Sequence, residues 1–391
     1  MQQLRLLGEK LSGKIIETVN STFSGGGVAE ILSRMVPLMG QIGVDIRWHV
    51  IKGNDEFFEV TKKFHNALHG REENLSPADF STFLQTSKKN LEEMDFCGQI
   101  LFIHDPQPIV LVEKKKTSDR KWVWRCHVDV SNPNEQVWGF LKNYINQYDA
   151  AIFSAPSFSQ PLPIRQFLIS PSIDPLSDKN KELPEETINQ VLKDFNISKD
   201  KPIITQISRF DFLKDPVGVI EAFKLVRKSI DCQLILAGGT ATDDPESEKV
   251  LQLVDKAAGD YPDIHVLLIP TGSDIQINAL QRASNVILQK SIKEGFGLTV
   301  SEALWKEKPV VASAVGGIPL QIVDNYTGLL SHGVEGTAFA IRKLLANPAY
   351  AAQLGKNGKE HVRQNFLITR QIRDYLLLFL TLDRKEDVIY L

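Results

Sequence analysis

The segment KEGFGLTVSEALW, residues 293–305, places a glycine-flanked turn directly before a predicted helix over Leu298–Trp305. Glu294 lies in the turn and Glu302 follows eight residues later, which is about two turns along a helix of ~3.6 residues per turn. The first turn of a helix offers unpaired N–H groups and the positive end of the helix dipole, and both attract phosphate. The segment therefore predicts either a nucleotide diphosphate site with a carboxylate at each end or a capped amphipathic helix with two solvated glutamates.

Short apolar, β-branched runs recur on both sides of this segment, and helical patterns separate them. This alternation is typical of parallel α/β sheets. The predicted strands are Lys14–Val19, Ile46–Val50, Gln99–Ile103, Trp122–Cys126 and Ala150–Phe153 in the first half, and Pro202–Ile207, Gln233–Ala237, His265–Ile269, Asn285–Leu288 and Pro309–Ala312 in the second. The two sets predict two doubly wound sheets.

The length of 391 residues favours two domains rather than one core. We predict an N-terminal Rossmann-like domain over residues 1–173 and a C-terminal one over residues 187–368. Residues 174–186 between them are charged, contain proline and lack periodicity, which predicts an interdomain linker. Residues 369–391 begin with an apolar-rich helix that is able to pack on either domain, the N-terminal one included.

The composition excludes several classes of protein. A net charge of −3 argues against a nucleic-acid binder, which has to neutralise many phosphates. The three cysteines are far apart and form no C-x-x-C pair, so neither a disulfide framework nor a zinc site is predicted. No apolar run approaches the roughly 20 residues of a membrane span, and the N-terminus lacks the pattern of a signal peptide. We expect a cytoplasmic protein that binds no membrane.

The loop NSTFSGGGVAE, residues 20–30, follows the first predicted strand and contains Gly25, Gly26 and Gly27. Consecutive glycines allow the backbone to approach a ligand closely before the next helix begins. The loop is not G-x-G-x-x-G, and no acidic residue is placed to bind a dinucleotide ribose, so a nicotinamide site is disfavoured. A flexible loop without a ligand is the alternative.

The segment IHDPQP, residues 103–108, follows the strand Gln99–Ile103. Two prolines prevent a helix before about residue 109, so His104 and Asp105 lie at a strand end. Ligands of open α/β sheets bind at such strand ends. Together with Gln107 they are candidates for a sugar pocket, and a structural role for His104 in the wall is the alternative.

The segment WRCHVD, residues 124–129, alternates polar and apolar side chains. In a strand this alternation would place Arg125, His127 and Asp129 on one face. A buried polar face without a ligand is costly, which favours a binding site. We expect His127 to act as a neutral donor or acceptor against a sugar hydroxyl.

The segment QISRFDFLKDP, residues 206–216, carries Arg209 and Lys214 around a turn directly after a strand. Arg209 is suited to bidentate contact with a diphosphate and Lys214 to act as a point charge. Solvated surface side chains are the alternative. In the opening segment, Thr299 is placed either to cap the helix or to contact phosphate.

No metal or cofactor is expected. His65 and His69 lie four residues apart, but no glutamate follows His65 as an H-E-x-x-H site requires. No Asp-x-Asp pair occurs that would chelate a metal–diphosphate complex.

The glycine loop, the Arg209/Lys214 pair and the E-x7-E helix occur in an order and spacing that resemble the retaining glycosyltransferases of family 4. That family adopts the GT-B fold, in which two doubly wound Rossmann-like domains face each other across a cleft. Within it, the less generic segments HDPQP, WRCH and PSIDPLS resemble the trehalose glycosyltransferring synthases. Lys293 departs from the arginine usual in that family, so the positive charge is kept but the bidentate fork of a guanidinium is lost.

The resemblance implies a role for each matching residue in binding the donor. Glu302 is expected to bind the ribose hydroxyls, with Glu294 near O3 and His127 near O6 of the donor sugar. The expected diphosphate contacts are Arg209, Lys214, Gly297, Leu298 and Thr299, with the glycine loop Gly25, Gly26 and Gly27 closing over the sugar and β-phosphate. Glu294, His127, Arg209 and Lys214 form the expected catalytic set. The expected acceptor or sugar pocket comprises His104, Asp105, Gln107, Arg125 and Asp129.

The implied activity is that of a retaining glucosyltransferase, which makes α,α-trehalose reversibly from a nucleoside-diphosphate glucose and free glucose. The expected partners are small-molecule sugars and the nucleotide sugar, and a homodimer is left open. Retaining trehalose phosphorylase, a non-catalytic nucleotide-sugar-binding protein and a sucrose or other glycoside synthase are alternatives. An oxidoreductase with two Rossmann domains is disfavoured by the missing G-x-G-x-x-G.

Overall fold

The computed structural model divides the chain into two compact units. The first comprises Met1–Pro171 and the C-terminal stretch from Ile368, and the second comprises Ser172–Leu367. The structure describes residues 1–24, 26–117, 119–239, 245–270 and 272–382. Within these ranges, none of the helices combines the length and the apolar character needed to cross a bilayer.

The first unit contains a six-stranded parallel sheet with the order β2-β1-β3-β4-β5-β6. Its strands are β1 (Ile15–Asn20), β2 (Asp45–Val50), β3 (Ile100–His104), β4 (Lys121–Arg125), β5 (Ala150–Phe153) and β6 (Arg165–Leu168). Its helices up to the last strand are α1 (Gln2–Glu9), α2 (Gly27–Gln41), α3 (Asp55–Leu68), α4 (Pro77–Glu93) and α5 (Glu135–Ile145), with 3₁₀ helices over Ile109–Thr117 and Pro156–Phe158. The strand order reverses between β1 and β3.

The second unit contains a six-stranded parallel sheet with the order β12-β11-β10-β7-β8-β9. Its elements are α6 (Glu185–Asp194), β7 (Ile203–Ile207), a 3₁₀ turn (Phe212–Lys214), α7 (Pro216–Arg227), β8 (Gln233–Gly238), α8 (Pro245–Ala258), β9 (Ile264–Leu268), α9 (Asp274–Ala283), β10 (Val286–Gln289), α10 (Leu298–Trp305), β11 (Val310–Ser313), α11 (Ile318–Gln321), β12 (Leu329–Ser331), α12 (Gly333–Ala346) and α13 (Pro348–Asn365). The strand order reverses between β7 and β10, and ligands of open sheets bind at such reversals.

The predicted strands are confirmed to within one residue at each end, and helix α10 has the predicted bounds. Strands β6 and β12 were not predicted. They contain four and three residues and lie at sheet edges. Strand β6 reads RQFL and has no buried residue, and β12 has three residues, so neither shows the buried apolar run that marks the predicted four-residue strands.

The last helix, α14 (Ile368–Thr381), belongs to the first unit. Its buried side chains recur at helical spacing and include Ile372, Tyr375 and Phe379. The ring centroid of Phe102 on β3 lies 5.0 Å from that of Tyr375 and 5.4 Å from that of Phe379. The C-terminal helix therefore completes the core over this sheet.

The segment 174–186, predicted as a linker, lies within the second unit and is bonded to it. Asn278 donates through Nδ2 to the carbonyl oxygens of Asp178 and Lys181, each at 2.8 Å. The side chain of Asn180 is buried, and its Oδ1 accepts from Nζ of Lys306 at 2.9 Å. These bonds satisfy backbone and side-chain groups that a free linker would leave to water.

Removing the Phe379 ring should destabilise the first unit. Phe379 is completely buried, and truncating a buried phenylalanine to alanine costs about 3–5 kcal/mol. We expect Phe379→Ala to lower the free energy of unfolding by that amount in urea denaturation. Phe339→Ala is the matched control, because Phe339 is 64% exposed and its loss should change stability little. Equal effects of the two substitutions would show that α14 contributes no core packing.

The buried Lys306 should make stability depend on pH. Burial lowers its pKa from 10.5 to about 7. Between these values the unfolded chain holds a proton that the folded chain releases, so stability falls as pH drops from about 10 to about 7 and stays low below that. Lys306→Met should therefore be stabilised relative to the parent, and its gain in the free energy of unfolding should be larger at pH 6 than at pH 9 by about 2–3 kcal/mol. Urea denaturation at both pH values measures this.

The exposed Lys228 provides the control for Lys306. Lys228→Met should change the unfolding free energy by the same small amount at pH 6 and at pH 9. A Lys306→Met effect that is likewise independent of pH would mean that the ammonium of Lys306 is not desolvated in the folded chain.

Candidate active site

In the second unit, two loops meet where the strand order reverses. Gln206, at the end of β7, accepts from the backbone N–H of Lys290 at 3.0 Å and donates through Nε2 to the carbonyl oxygen of Lys214 at 2.9 Å. The backbone N–H of Ile292 donates to the carbonyl oxygen of Leu213 at 2.8 Å. The loop after β7 and the loop after β10 are therefore held together. Gln206 was not singled out in the sequence, where it is one polar residue inside a strand.

Glu294, in the loop after β10, contacts the loop after β7 through its side chain. Its side chain is only 8% exposed, and its Oε2 accepts from Nζ of Lys214 at 2.6 Å. The same oxygen accepts from Nε2 of Gln289 and Oγ of Ser291, each at 3.1 Å. A buried carboxylate needs such compensation for its lost hydration. The structure thus brings the predicted Glu294 and Lys214 together and adds Gln289 and Ser291. These two were not predicted, although Gln289 ends β10 and Ser291 follows two residues later.

Arg209 lies on the same loop but faces solvent. Its side chain is 51% exposed, and its guanidinium lies 3.4 Å from Oδ2 of Asp211. Asp211 is buried and caps the following 3₁₀ turn, because its Oδ1 accepts from the backbone N–H of Lys214 at 3.2 Å. Both predicted diphosphate cations therefore have carboxylate partners in the second unit.

Helix α10 begins without a side-chain cap. Gly297 occupies the N-cap position with φ of 81°, a left-handed conformation that favours glycine. The hydroxyl of Thr299 donates over 3.4 Å to the carbonyl oxygen of Ile207, so Thr299 does not cap the helix. Within the described residues, the backbone N–H groups of Leu298 and Thr299 have no acceptor. This leaves donors of the first helical turn available to an anion.

Gly316 holds the turn that carries Glu294. Its φ is +56°, and a Cβ built on it would lie 1.7 Å from the carbonyl oxygen of Glu294. The backbone N–H of Gly317 donates to the carbonyl oxygen of Gly295 at 3.0 Å. Only a residue without a side chain allows the two backbones to approach this closely.

Glu302 lies on α10 and is 4% exposed. Nε2 of Gln281 lies 3.4 Å from its Oε2, and Nζ of Lys179 lies 4.0 Å from its Oε1. Lys179 also lies 3.9 Å from Oδ1 of Asp274. Lys179 comes from the segment that the sequence analysis interpreted as a linker, so its place beside Glu302 was missed.

In the first unit, a row of side chains crosses the ends of three neighbouring strands. Oγ1 of Thr18 on β1 lies 2.9 Å from Nε2 of His104 at the end of β3. Nδ1 of His104 lies 3.0 Å from Nε2 of His127, just after β4. Burial, with a smaller effect of the nearby Arg125 charge, lowers the pKa of His104 to about 3 and that of His127 well below 6.5. Both imidazoles are therefore neutral at physiological pH.

Asp105 fixes the backbone around these histidines. Its φ is +63°, and its Oδ1 accepts from the backbone N–H of His127 at 2.8 Å. Its carbonyl oxygen accepts from Nε1 of Trp124 at 3.0 Å. Burial raises the pKa of Asp105 to about 6, against the opposing effects of the His127 N–H and the Arg125 charge.

Arg125 is fully buried at the end of β4, and its Nη2 donates to Oγ of Ser154 at 3.0 Å. Its Nε and Nη1 have no partner within the described residues. The prediction that Arg125, His127 and Asp129 share one face of a strand is wrong, because β4 ends at Arg125 and irregular backbone follows. The backbone N–H of Cys126 donates to the carbonyl oxygen of Ile152, and this is the last hydrogen bond to the neighbouring strand β5.

The remaining sugar-pocket candidates have local roles. Asp129 is buried, and its Oδ1 accepts from the backbone N–H of Ser131 at 2.9 Å. Gln107 lies in the turn after β3, and its Oε1 is buried without a partner in the described ranges. A buried amide oxygen without a donor indicates a group that a ligand or water satisfies.

The glycine loop follows β1 at the strand reversal of the first unit. Gly26 has φ of 84° and is the N-cap of α2, which starts at Gly27 and has no side-chain cap. Gly25 lies outside the described residues. The loop is held by Asn20, whose Nδ2 donates to the carbonyl oxygen of Thr22 at 2.7 Å and whose Oδ1 accepts from Nε1 of Trp48 at 2.8 Å.

Among the residues that the structure describes, no three or more histidine, cysteine, aspartate or glutamate side chains are grouped to hold a metal ion.

Comparisons with known proteins match both units. A family model described as "Trehalose synthase, N-terminal domain" matches residues 18–160, and one described as "Glycosyl transferases group 1" matches residues 188–361. The trehalose synthase of Thermococcus litoralis is 45% identical over 96% of this chain and 92% of the relative. The trehalose synthase of Rubrobacter xylanophilus is 42% identical over the same shares. The trehalose phosphorylase of Grifola frondosa is 31% identical over 86% of this chain and 53% of that protein.

Solved structures show the same fold at low sequence identity. A trehalose-6-phosphate synthase matches with a TM-score of 0.76 and 14% identity, over 95% of this chain and 99% of that chain. Sucrose-phosphate synthase from Thermosynechococcus elongatus matches with a TM-score of 0.74 and 18% identity, over 94% and 99%. The resemblance found in the sequence is confirmed. The chain therefore belongs to the trehalose synthase family, whose members are GT-B glycosyltransferases of trehalose metabolism.

Proposed function

We propose that the protein is a retaining glucosyltransferase that makes α,α-trehalose, reversibly, from a nucleoside-diphosphate glucose and free glucose. The observation that carries the proposal is the contact of Lys214 with the buried Glu294 beside the uncapped start of α10. A cation, a carboxylate and free helix N–H groups at a strand reversal suit a diphosphate joined to a hydroxyl-rich sugar. The 42–45% identical trehalose synthases support the choice of sugar.

The groups of the second unit suit the leaving group. Breaking the C1–O bond leaves negative charge on the nucleoside diphosphate, and fixed donors act where that charge develops. We assign this task to Lys214, Arg209 and the N–H groups of Leu298 and Thr299. Lys214 has three N–H donors, so it is able to keep its contact with Glu294 while it donates to a phosphate oxygen.

The two glutamates are assigned to hydroxyl groups. Glu294 is held by Lys214, Gln289 and Ser291, so its carboxylate is oriented before a sugar arrives. We place it at O3 of the donor glucose. Glu302, with Lys179 and Gln281 beside it, is assigned to the ribose hydroxyls.

The polar side chains of the first unit are assigned to sugars. His127 is neutral and close to the end of β4, and we assign it to O6 of the donor. His104, Asp105, Gln107, Arg125 and Asp129 form the proposed pocket around donor sugar and acceptor. Gly26 and Gly27 start α2 on the loop after β1, the strand that pairs with β3. Buried polar atoms of Arg125 and Gln107 that have no partner within the described chain favour a polar ligand here.

We propose that retention arises by attack of the acceptor hydroxyl on the same face from which the diphosphate leaves. The acceptor oxygen forms the new bond to C1, the C1–O bond to the phosphate breaks, and the departing phosphate oxygen takes the acceptor's proton. This route requires neither a covalent sugar–enzyme intermediate nor a metal.

Retaining phosphorolysis of trehalose is the second candidate, since a trehalose phosphorylase is 31% identical over 86% of the chain. Product analysis separates the two activities. The protein is mixed with free glucose and each of a panel of nucleoside-diphosphate glucoses, and trehalose formation supports the proposal. In the reverse direction, trehalose is supplied with UDP or ADP in one reaction and with inorganic phosphate in another. Glucose 1-phosphate formed only with phosphate would overturn the proposal, and no product in any reaction would favour a binding protein.

Lys214→Ala should lower kcat with the nucleotide sugar by about 100- to 1000-fold, the effect of removing one fixed donor to a developing anion. The substitution also leaves Glu294 without its cation. Lys228→Ala, on the exposed surface, is the control and should retain the parent's kcat. The variant's circular dichroism should match that of the parent. A near-normal kcat for Lys214→Ala would remove this lysine from the site.

Glu302→Ala should weaken donor binding rather than turnover at saturation. Hydrogen bonds to a charged group contribute about 1.5–3 kcal/mol each, so losing the ribose contacts should raise the Kd of the nucleoside diphosphate about 10- to 100-fold. Calorimetric titration with the nucleoside diphosphate measures this. The exposed Glu335→Ala serves as control. A Kd for Glu302→Ala equal to that of the control would contradict the ribose assignment.

A further inference from the structure

A chain of hydrogen bonds in the first unit links strand β1 to His127. Thr18, His104 and His127 are joined by distances of 2.9 Å and 3.0 Å. Thr18 is completely buried and His104 is 2% exposed. Thr18 was not predicted as a site residue, because in the sequence it is one β-branched residue inside the strand IIETVN.

Each imidazole in this chain carries a single proton. A neutral imidazole has one N–H donor and one bare nitrogen acceptor, and its partners decide which nitrogen is which. Both histidines are kept neutral by burial and by the Arg125 charge. The hydrogen bonds from Thr18 to His127 can therefore all point one way or all point the other way. The two orientations differ in whether the outer ring nitrogen of His127 is an N–H donor or a bare acceptor.

The buried hydroxyl of Thr18 selects between these directions. If His104 carried its proton on Nε2, that N–H would donate to Oγ1 of Thr18, and the hydroxyl hydrogen would need another acceptor. Within the described residues, His104 is the one side-chain or backbone partner of this hydroxyl. A buried O–H without an acceptor is costly, whereas an unused oxygen lone pair costs little. The favoured direction therefore has Thr18 donating to Nε2 of His104.

The direction then propagates to His127. With Nε2 of His104 accepting, its proton lies on Nδ1 and is donated to Nε2 of His127. Nε2 of His127 is thus an acceptor, and its proton lies on Nδ1. The ring is anchored from the backbone as well, because the N–H of His127 donates to Oδ1 of Asp105 at 2.8 Å. Nδ1 of His127 has no protein partner in the described part of the chain, and the side chain is partly exposed.

We propose that Thr18 is a positioning residue that acts through His104 to fix His127 as the Nδ1–H tautomer, so that His127 offers a hydrogen-bond donor, and not an acceptor, to a sugar oxygen. The identity of that oxygen as O6 of the donor glucose rests on the proposed function. The consequence is a rule of specificity for position 6 of the donor sugar. The group there needs a lone pair to accept from His127, and it does not need a hydrogen to donate.

The tautomers are measured directly by NMR. The full-length protein is labelled with ¹⁵N-histidine, and long-range ¹H–¹⁵N spectra at pH 7 distinguish protonated from bare ring nitrogens. His104→Asn and His127→Asn identify the two signals. We expect protonated Nδ1 and bare Nε2 for both residues in the parent chain. A protonated Nε2 on His127 in the parent would overturn the proposal, and this measurement needs neither turnover nor a Thr18 variant.

Two substitutions separate the hydroxyl from the shape of Thr18. Thr18→Ser retains the hydroxyl and should retain both Nδ1–H tautomers. Thr18→Val replaces the hydroxyl by a methyl group of similar size. The donor that orients the hydrogen bonds of His104 and His127 is then lost, and both tautomers of His127 should be populated. An unchanged tautomer of His127 in Thr18→Val would show that Thr18 does not set it.

Kinetics with donor analogues tests the specificity rule. The 6-deoxy-6-fluoro donor keeps a weak acceptor but loses the O6 hydrogen, and the 6-deoxy donor lacks both. The parent and Thr18→Ser should use the fluoro donor with a kcat/KM about fivefold above that of the deoxy donor, the effect of one modest hydrogen bond. In Thr18→Val this ratio should fall toward one. A merely structural role would lower kcat/KM equally for all donors and leave the ratio unchanged. Absence of turnover with every donor, alongside the expected tautomers, would reject the proposed function and leave the tautomer assignment intact.

Discussion

The contact between Lys214 and Glu294 is the constraint on which the second unit's site depends. A carboxylate that is 8% exposed has lost most of its hydration, and an ammonium 2.6 Å away offsets that loss. Gln289 and Ser291 supply further donors to the same oxygen. The turn therefore holds the carboxylate of Glu294 in one orientation beside the first N–H groups of α10, which suit an anion.

In the first unit, the electrostatic environment favours neutral side chains. A fully buried Arg125 places a permanent positive charge near His104 and His127, and desolvation lowers the pKa of both imidazoles. The result is a pair of neutral imidazoles, which are suited to contact a ligand through the direction of their hydrogen bonds and not through charge. The charged groups of the second unit therefore suit a phosphate group, and the neutral imidazoles of the first unit suit a sugar.

Much of this fold was predictable from local sequence. Apolar runs marked the long buried strands, and the glycine turn marked the start of α10 at Leu298. The edge strands β6 and β12 were not found, because β6 is RQFL without a buried residue and β12 has three residues, so neither carries a buried apolar run. The segment 174–186 looked like a linker because it lacks periodicity, yet Asn278 and Lys306 satisfy its polar groups within the second unit. A segment without helix or strand periodicity is therefore still able to be hydrogen-bonded to a domain.

The sequence by itself determined the residue types and their spacing: Glu294 and Glu302 around one helix, Arg209 and Lys214 around one turn, and polar residues after strands β3 and β4. Local patterns carry this information because strand ends and helix starts are set by neighbours a few residues away. Only the tertiary structure decided which of these groups share an atom-to-atom contact. The bonds Lys214 to Glu294 and Thr18 to His104 join residues 80 and 86 positions apart, and strand order alone determines that such loops and strands become neighbours.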